Sequence, residues 1–303
     1  MVSDLVSVSP IRLVHTVAML KYRLLFGSLM AAVFAGFVLL DGWLDGSVTA
    51  SAADDRQIQG TLVALLVLCA VTLGGFELSR LAAAKGLVVL NPVCAVGLIL
   101  LSTSWWAAQL VPIPAGGYLS LAAALTLAGM MAWQQKRFGT AGVLANCGIS
   151  CFSLLYLGLL GSFILGVRID GGPREFLAFV FVVKCSDIGA YTFGKLFGRH
   201  KLAPSVSPGK TWEGLGGAVV FAIVVSLAFA LVLGIMPVWL APVFGASMAI
   251  VGQLSDLTES MLKRDAQQKD SSNRVPGFGG ILDVIDSPLF AAPVAYLFFA
   301  LAA

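Results

Sequence analysis

Residues 217–235 read GAVVFAIVVSLAFALVLGI, nineteen positions without one ionisable side chain. A helix of about 17–25 such residues crosses the hydrocarbon core of a bilayer, so this stretch reads as a membrane span. Working outward, the same signal recurs about nine times at close to that length. The stretches are 24–40, 60–76, 87–101, 118–133, 143–167, 176–193, 217–235, 238–254 and 289–302. The third and fourth are blurred by Pro112 and Pro114. Of the 303 residues 58% are hydrophobic and only 12% charged, and the mean hydropathy is +0.93. A soluble domain carries about twice that charged fraction. The expected fold is all-α, a polytopic integral membrane protein, with no polar domain large enough to fold apart from the bilayer.

Lys and Arg in short loops set orientation, and here they fall on every second loop. Arg12, Lys21 and Arg23 precede the first span, Arg80 and Lys85 follow the second, and Lys136 and Arg137 follow the fourth. Lys195, Arg199, Lys201 and Lys210 follow the sixth span, and Lys263, Arg264, Lys269 and Arg274 follow the eighth. The intervening loops are acidic, mixed or uncharged, with Asp41, Asp45, Asp54 and Asp55 in the first and Arg168, Asp170, Arg174 and Glu175 in the fifth. This pattern predicts a cytosolic N-terminus, an external C-terminus and both long polar loops at the cytosolic face of the cell membrane. The N-terminal stretch lacks a small-residue cleavage site and reads as an amphipathic lead-in. Cys69, Cys94, Cys147, Cys151 and Cys185 lie in or beside apolar spans. Without neighbouring His they read as small hydrophobes rather than zinc ligands.

Chemistry concentrates after Lys184. Lys184, Asp187 and Tyr191 stand at i, i+3 and i+7 within an apolar span, on one helix face. Ionisable residues at that depth line a site or pair with each other. The following loop supplies glycines, hydroxyls and cations, including Ser207, Gly209, Lys210 and Thr211, the materials of a polyphosphate cradle. It is not a P-loop, because Pro204 stands where the first glycine belongs and a membrane helix precedes it. At the end of the eighth span, Gln253, Asp256, Glu259, Ser260 and Lys263 again follow one helical face. Lys269, Asp270 and a glycine-rich turn with Gly279 and Gly280 lead to Asp283 and Asp286, one turn apart at the head of the last helix. Carboxylates among cations and glycines suit a hard divalent cation bridging protein and phosphate oxygens. The head of that helix is expected to offer backbone N–H groups to anions as well.

These residues resemble the signature of the phosphatidate cytidylyltransferase (CDP-diacylglycerol synthase) family. Ser260, Leu262, Lys263, Arg264, Lys269, Asp270, Val275, Pro276, Gly277, Gly279, Gly280, Ile281, Asp283, Ile285 and Asp286 all match it at the family's spacing. Phe278 stands where the signature has His, removing a proton carrier or phosphate donor, and Val284 stands where it has Arg, removing a bidentate phosphate contact. Residues 186–191 and 207–214 resemble the family's second conserved region, so the likeness covers about residues 184–287.

The resemblance implies a Mg2+-dependent nucleotidyltransferase of phospholipid biosynthesis, converting CTP and phosphatidate to CDP-diacylglycerol and pyrophosphate. It implies Asp256 and Asp283 as principal Mg2+ ligands, with Asp286 beside them and Asp187 close by. Lys263, Arg264, Lys269 and Lys210 are expected on phosphates, with Asp270 orienting the basic residues. Tyr191, Ser207, Gly209, Thr211, Ser260, Gly279 and Gly280 are expected around the substrates. Residues 1–175 are then scaffold helices facing lipid, and residues 176–303 carry the catalytic loops. Membrane lipids are expected partners, a homodimer stays open, and no nucleic acid is expected. Two other readings compete. One is a CTP-dependent transferase acting on another lipid phosphate, and the other is a transporter with Lys184 and Asp187 on an ion path, which predicts matching hydropathy repeats in the two halves.

Overall fold

The computed structural model describes residues 10–48, 56–268 and 280–302, with side chains described from residue 27 onward. The chain is a bundle of helices in the order α1 (Pro10–Asp45), α2 (Thr61–Ala84), α3 (Asn91–Ser102), α4 (Ser104–Ala108) and α5 (Ala115–Phe138). Then α6 (Val143–Ser153), a π-helical turn (Leu154–Leu159), α7 (Leu160–Gly166) and a second π-helical turn (Val167–Gly171) run on as one span. The remaining helices are α8 (Pro173–Phe197), α9 (Trp212–Leu233), α10 (Ala241–Asp265) and α11 (Ile281–Ala302).

Among the described residues, seven helical segments are long and apolar enough to cross a membrane. They coincide with seven of the expected stretches. The other two differ for physical reasons. The stretch at 87–101 yields only the twelve-residue α3, and 238–254 opens α10, whose second half turns polar from Asp256 to Asp265. The all-α expectation also misses one element. Between α8 and α9 lies an antiparallel hairpin of β1 (Lys201–Ala203) and β2 (Ser207–Thr211), pairing Lys201 with Thr211 and Ala203 with Ser207 across an irregularity.

Helices α8 and α9 approach very closely. A Cβ added at Gly189 would meet the carbonyl oxygen of Gly217 at 2.5 Å and the Phe221 side chain at 2.8 Å, so only glycine fits there. Thr211 starts α9, its hydroxyl accepting the Gly214 N–H at 3.1 Å. Such a cap contributes about 1 kcal/mol. Glu213, in the first turn of α9, accepts the N–H groups of Arg199 and His200 and pairs with the His200 ring. The hairpin is thereby locked to the head of α9.

The two ends of the bundle are chemically different. At one end Lys85 pairs with Asp265 at 3.0 Å, Arg264 reaches the Val206 carbonyl at 3.5 Å, and Glu77 meets the head of α11. The C-terminal ends of α2 and α10 and the segment between α8 and α9 therefore gather together. At the other end Arg168 is wholly buried between Asp41 (2.9 Å) and Asp45 (2.8 Å). These three were expected in loops. Instead α1 continues through Asp45, and both carboxylates cap the start of α2 by accepting the N–H groups of Leu62 and Gly60. Asp170 accepts from Trp105 Nε1 and the Tyr296 hydroxyl, each at 2.8 Å.

Candidate active site

The end holding Lys85 and Asp265 contains an open cavity of about 380 Å³ lined by Lys184, Asp187, Lys210, Asp256, Glu259, Ser260, Lys263, Asp283, Asp286 and Ser287. Three helices and the hairpin build it. The polar half of α10 supplies Asp256, Glu259, Ser260 and Lys263, which share one face because they stand at i, i+3, i+4 and i+7. Helix α8 supplies Lys184 and Asp187, β2 supplies Lys210, and the first turns of α11 supply Asp283, Asp286 and Ser287.

The charges interlock. Lys210 Nζ lies 2.9 Å from Asp256 Oδ2 and 3.2 Å from the Gln253 carbonyl. Ser287 Oγ donates to Asp256 Oδ1 at 2.7 Å, while its backbone N–H donates to Asp286 Oδ1 at 2.6 Å. Lys263 Nζ bridges Glu259 Oε2 at 2.9 Å and Asp283 Oδ1 at 2.6 Å. The other Asp283 oxygen takes the Gly280 N–H at 2.6 Å. Lys184 Nζ stands 3.6 Å from Asp187 Oδ2 and donates to the Val284 carbonyl at 3.0 Å.

Five carboxylates against three ammonium groups leave the lining short of positive charge. Two buried oxygens, Asp187 Oδ1 and Glu259 Oε1, have no hydrogen-bond partner among the described residues. Glu259 lies outside the seven apolar spans and is 4% exposed. Burial first, and the adjacent Asp283 carboxyl second, push its pKa up to about 8. Among the described residues no group of three His, Cys, Asp or Glu side chains already stands as a metal-ligand set, because the lysines lie between the acids.

The profile of the cytidylyltransferase family matches residues 56–302. The chain belongs to that family. It is 39% identical over 157 residues to the phosphatidate cytidylyltransferase of Bacillus subtilis (strain 168), covering 51% of this chain and 58% of that one. Against the phosphatidate cytidylyltransferase of Haemophilus influenzae it is 42% identical over 130 residues, 41% of this chain and 45% of the relative. Against that of Mycobacterium leprae it is 36% identical over 155 residues, covering 50% and 49%. The matched part thus spans about half the length of each relative.

In this cytidylyltransferase-family chain the cavity collects most of the acids and lysines expected from sequence. Asp187, Lys210, Asp256, Ser260, Lys263, Asp283 and Asp286 all line it. Other expected residues lie elsewhere. Arg264 reaches across to the hairpin. Tyr191 is 63% exposed, with Lys195 over its ring at 5.7 Å, because it sits about two turns beyond Lys184 along α8. Thr211 is buried as the cap of α9, and Ser207 and Gly209 lie on β2 outside the lining. Gly280 contributes its backbone N–H to Asp283. Lys269, Asp270 and Gly279 lie outside the described residues, as does Phe278.

The head of α11 does not do what its position suggested. The Ile281 and Leu282 N–H groups are taken by Glu77 at 3.2 and 2.9 Å, and the Gly280 N–H is taken by Asp283. Those three donors are therefore engaged by protein carboxylates instead of facing an anion. Lys184, Glu259 and Ser287 join the lining beyond the expected site residues. The helical spacing of Lys184 and Glu259 already pointed to them. Ser287 had no such signal.

Proposed function

We propose that the chain is a phosphatidate cytidylyltransferase that joins CTP to phosphatidate and releases pyrophosphate. The observation that carries this reading is the cavity itself. Three lysines and five carboxylates converge at one end of a bundle of apolar helices, where a lipid headgroup and a nucleotide can meet while acyl chains stay among the helices. The names of the relatives favour phosphatidate over another lipid phosphate, and they lend nothing to a transporter.

A phosphate oxygen of phosphatidate attacks the α-phosphorus of CTP. The new oxygen–phosphorus bond forms as the bond from that phosphorus to the bridging oxygen of the β-phosphate breaks, and pyrophosphate leaves with the electron pair. A phosphate monoester is already a competent nucleophile at neutral pH. The protein's part is alignment and charge neutralisation. Lys210, on the hairpin, suits the triphosphate, and Lys263 and Lys184, facing α11, suit the lipid phosphate. Ser260 and Ser287 add hydroxyl donors.

The lining also fits Mg2+. Its candidate ligand atoms are carboxylate and hydroxyl oxygens, two buried carboxylate oxygens lack partners among the described residues, and acids outnumber lysines in the lining, as suits a divalent cation. Asp256, Asp286 and Asp283 would hold the ion, with Asp187 adjacent. When bound, it would neutralise charge on the triphosphate and its leaving group. Lys85, Lys210, Lys263 and Arg264 share this end of the bundle, which supports a cytosolic active site by the positive-inside rule.

The test is direct. Purified protein incubated with labelled CTP, phosphatidate and Mg2+ should yield labelled CDP-diacylglycerol and pyrophosphate, with yield depending on both substrates. Consumption of CTP without a lipid product, or product formed equally well from a polyprenol phosphate, would overturn the assignment.

A further inference from the structure

Glu77 lies on α2, in the half of the chain that sequence reading treats as scaffold, and its side chain is fully buried. A carboxylate within an apolar span is costly, so its partners decide its meaning. They include the Ile281 and Leu282 N–H groups, more than 200 residues away. These are the first two residues of α11, and first-turn N–H groups have no acceptor within their own helix. A negative charge at that end is also favoured by the helix dipole.

The surroundings show that this face of α2 is shaped to the head of α11. Gly74 stands one turn before Glu77 on the same face. A Cβ there would meet Ile285 Cδ1 at 3.4 Å and Leu282 Cδ1 at 3.8 Å, ordinary van der Waals distances, so this face of α2 lies directly against the first turns of α11. Leu282 is wholly buried in that contact. Asp283 is the next residue, and Asp286 follows one turn on, both facing the cavity. Glu77 itself does not line the cavity.

We propose that Glu77 is a positioning residue for the active site. By holding the first turn of α11 it fixes the direction in which Asp283 and Asp286 enter the cavity. The inference rests on the proposed function of this cavity.

Two variants test it in the full-length protein. Glu77→Gln keeps the length and loses the charge, whereas Glu77→Asp keeps the charge but is about one methylene short of the two N–H groups. Hydrogen–deuterium exchange, unfolding midpoint, and kcat and KM for CTP are measured on each. In Glu77→Gln, exchange across residues 281–284 should rise roughly tenfold. The kcat should fall by a similar factor with a smaller change in KM, and the unfolding midpoint should stay near that of the wild type. Glu77→Asp should recover part of both effects. Unchanged exchange at the head of α11 would overturn the proposal. So would raised exchange with wild-type kcat, or a uniform loss of protection along the chain, since each makes Glu77 structural only. A wild-type protein without turnover would instead remove the functional reading. The hold on α11 would then be judged on exchange alone, and unchanged exchange would still overturn it.

Discussion

Lys184 donates from its ammonium group to the backbone carbonyl of Val284 at 3.0 Å. That carbonyl is available because Pro288, four residues later in α11, has no N–H to return to it. A residue that weakens a helix thus creates an acceptor inside a charged cavity, and a lysine from α8 fills it. The contact also shows what Val284 does at a position where the family signature carries Arg. Its side chain brings no charge, while its main chain anchors a cation from another helix.

Restoring the helical hydrogen bond should therefore harm the site without harming the fold. In Pro288→Ala the new N–H competes with Lys184 for the Val284 carbonyl. Proline in a helix interior costs about 3 kcal/mol relative to alanine, so the unfolding midpoint should hold or rise. Turnover should fall severalfold. Paired measurements of kcat and thermal unfolding on the purified variant check this.

Asp256 receives Lys210 on one oxygen and Ser287 on the other, joining the hairpin to α11 through α10. Asp256→Asn preserves shape and removes the charge that pairs with Lys210. Turnover should drop by about 100-fold or more, and a Mg2+ titration should saturate at higher concentration than in the wild type. Wild-type turnover in this variant would sink the assignment of Asp256 as a metal ligand.

Hydropathy made the spans legible, because a bilayer imposes one length and one composition on every crossing. The spacing of Asp256, Glu259, Ser260 and Lys263 was legible for a similar reason, since one helix face is a local property. What could not be read were relationships set only by packing. Glu77 is an isolated acid in an apolar run, and its partners at Ile281 and Leu282 are fixed by tertiary contact. Arg168 looked like a loop charge until α1 brought Asp41 and Asp45 to it from more than 120 residues away. Thr211 and Tyr191 carry side chains suited to a nucleotide. One spends its hydroxyl on capping α9, and the other lies too far along α8.

The Arg168 cluster should serve stability and leave substrate affinity alone. It sits by the start of α2, about 24 Å along the helix from Glu77. Arg168→Leu leaves Asp41 and Asp45 buried without their cation, and breaking a buried pair in this way costs about 3–5 kcal/mol. Adding Asp41→Asn should recover part of the loss. Denaturation in detergent reads the first effect, and an unchanged KM for CTP in the surviving protein reads the second.

Lys263 permits a separation of structure from chemistry. Its ammonium bridges Glu259 and Asp283, all three side chains being largely buried. Above pH 8, where Glu259 is ionised, Lys263→Met leaves two carboxylates facing each other and should destabilise by about 3–5 kcal/mol, with turnover lost. Glu259→Gln added to it removes one of the opposed charges, so most of the stability should return. If Lys263 serves only to neutralise its neighbours, activity should return with it. If it holds a substrate phosphate, as its place in the cavity indicates, the double variant should fold well and stay inactive. The expected result is recovered unfolding free energy with kcat still depressed at least about 100-fold. Recovery of both quantities would reduce Lys263 to a structural counter-ion.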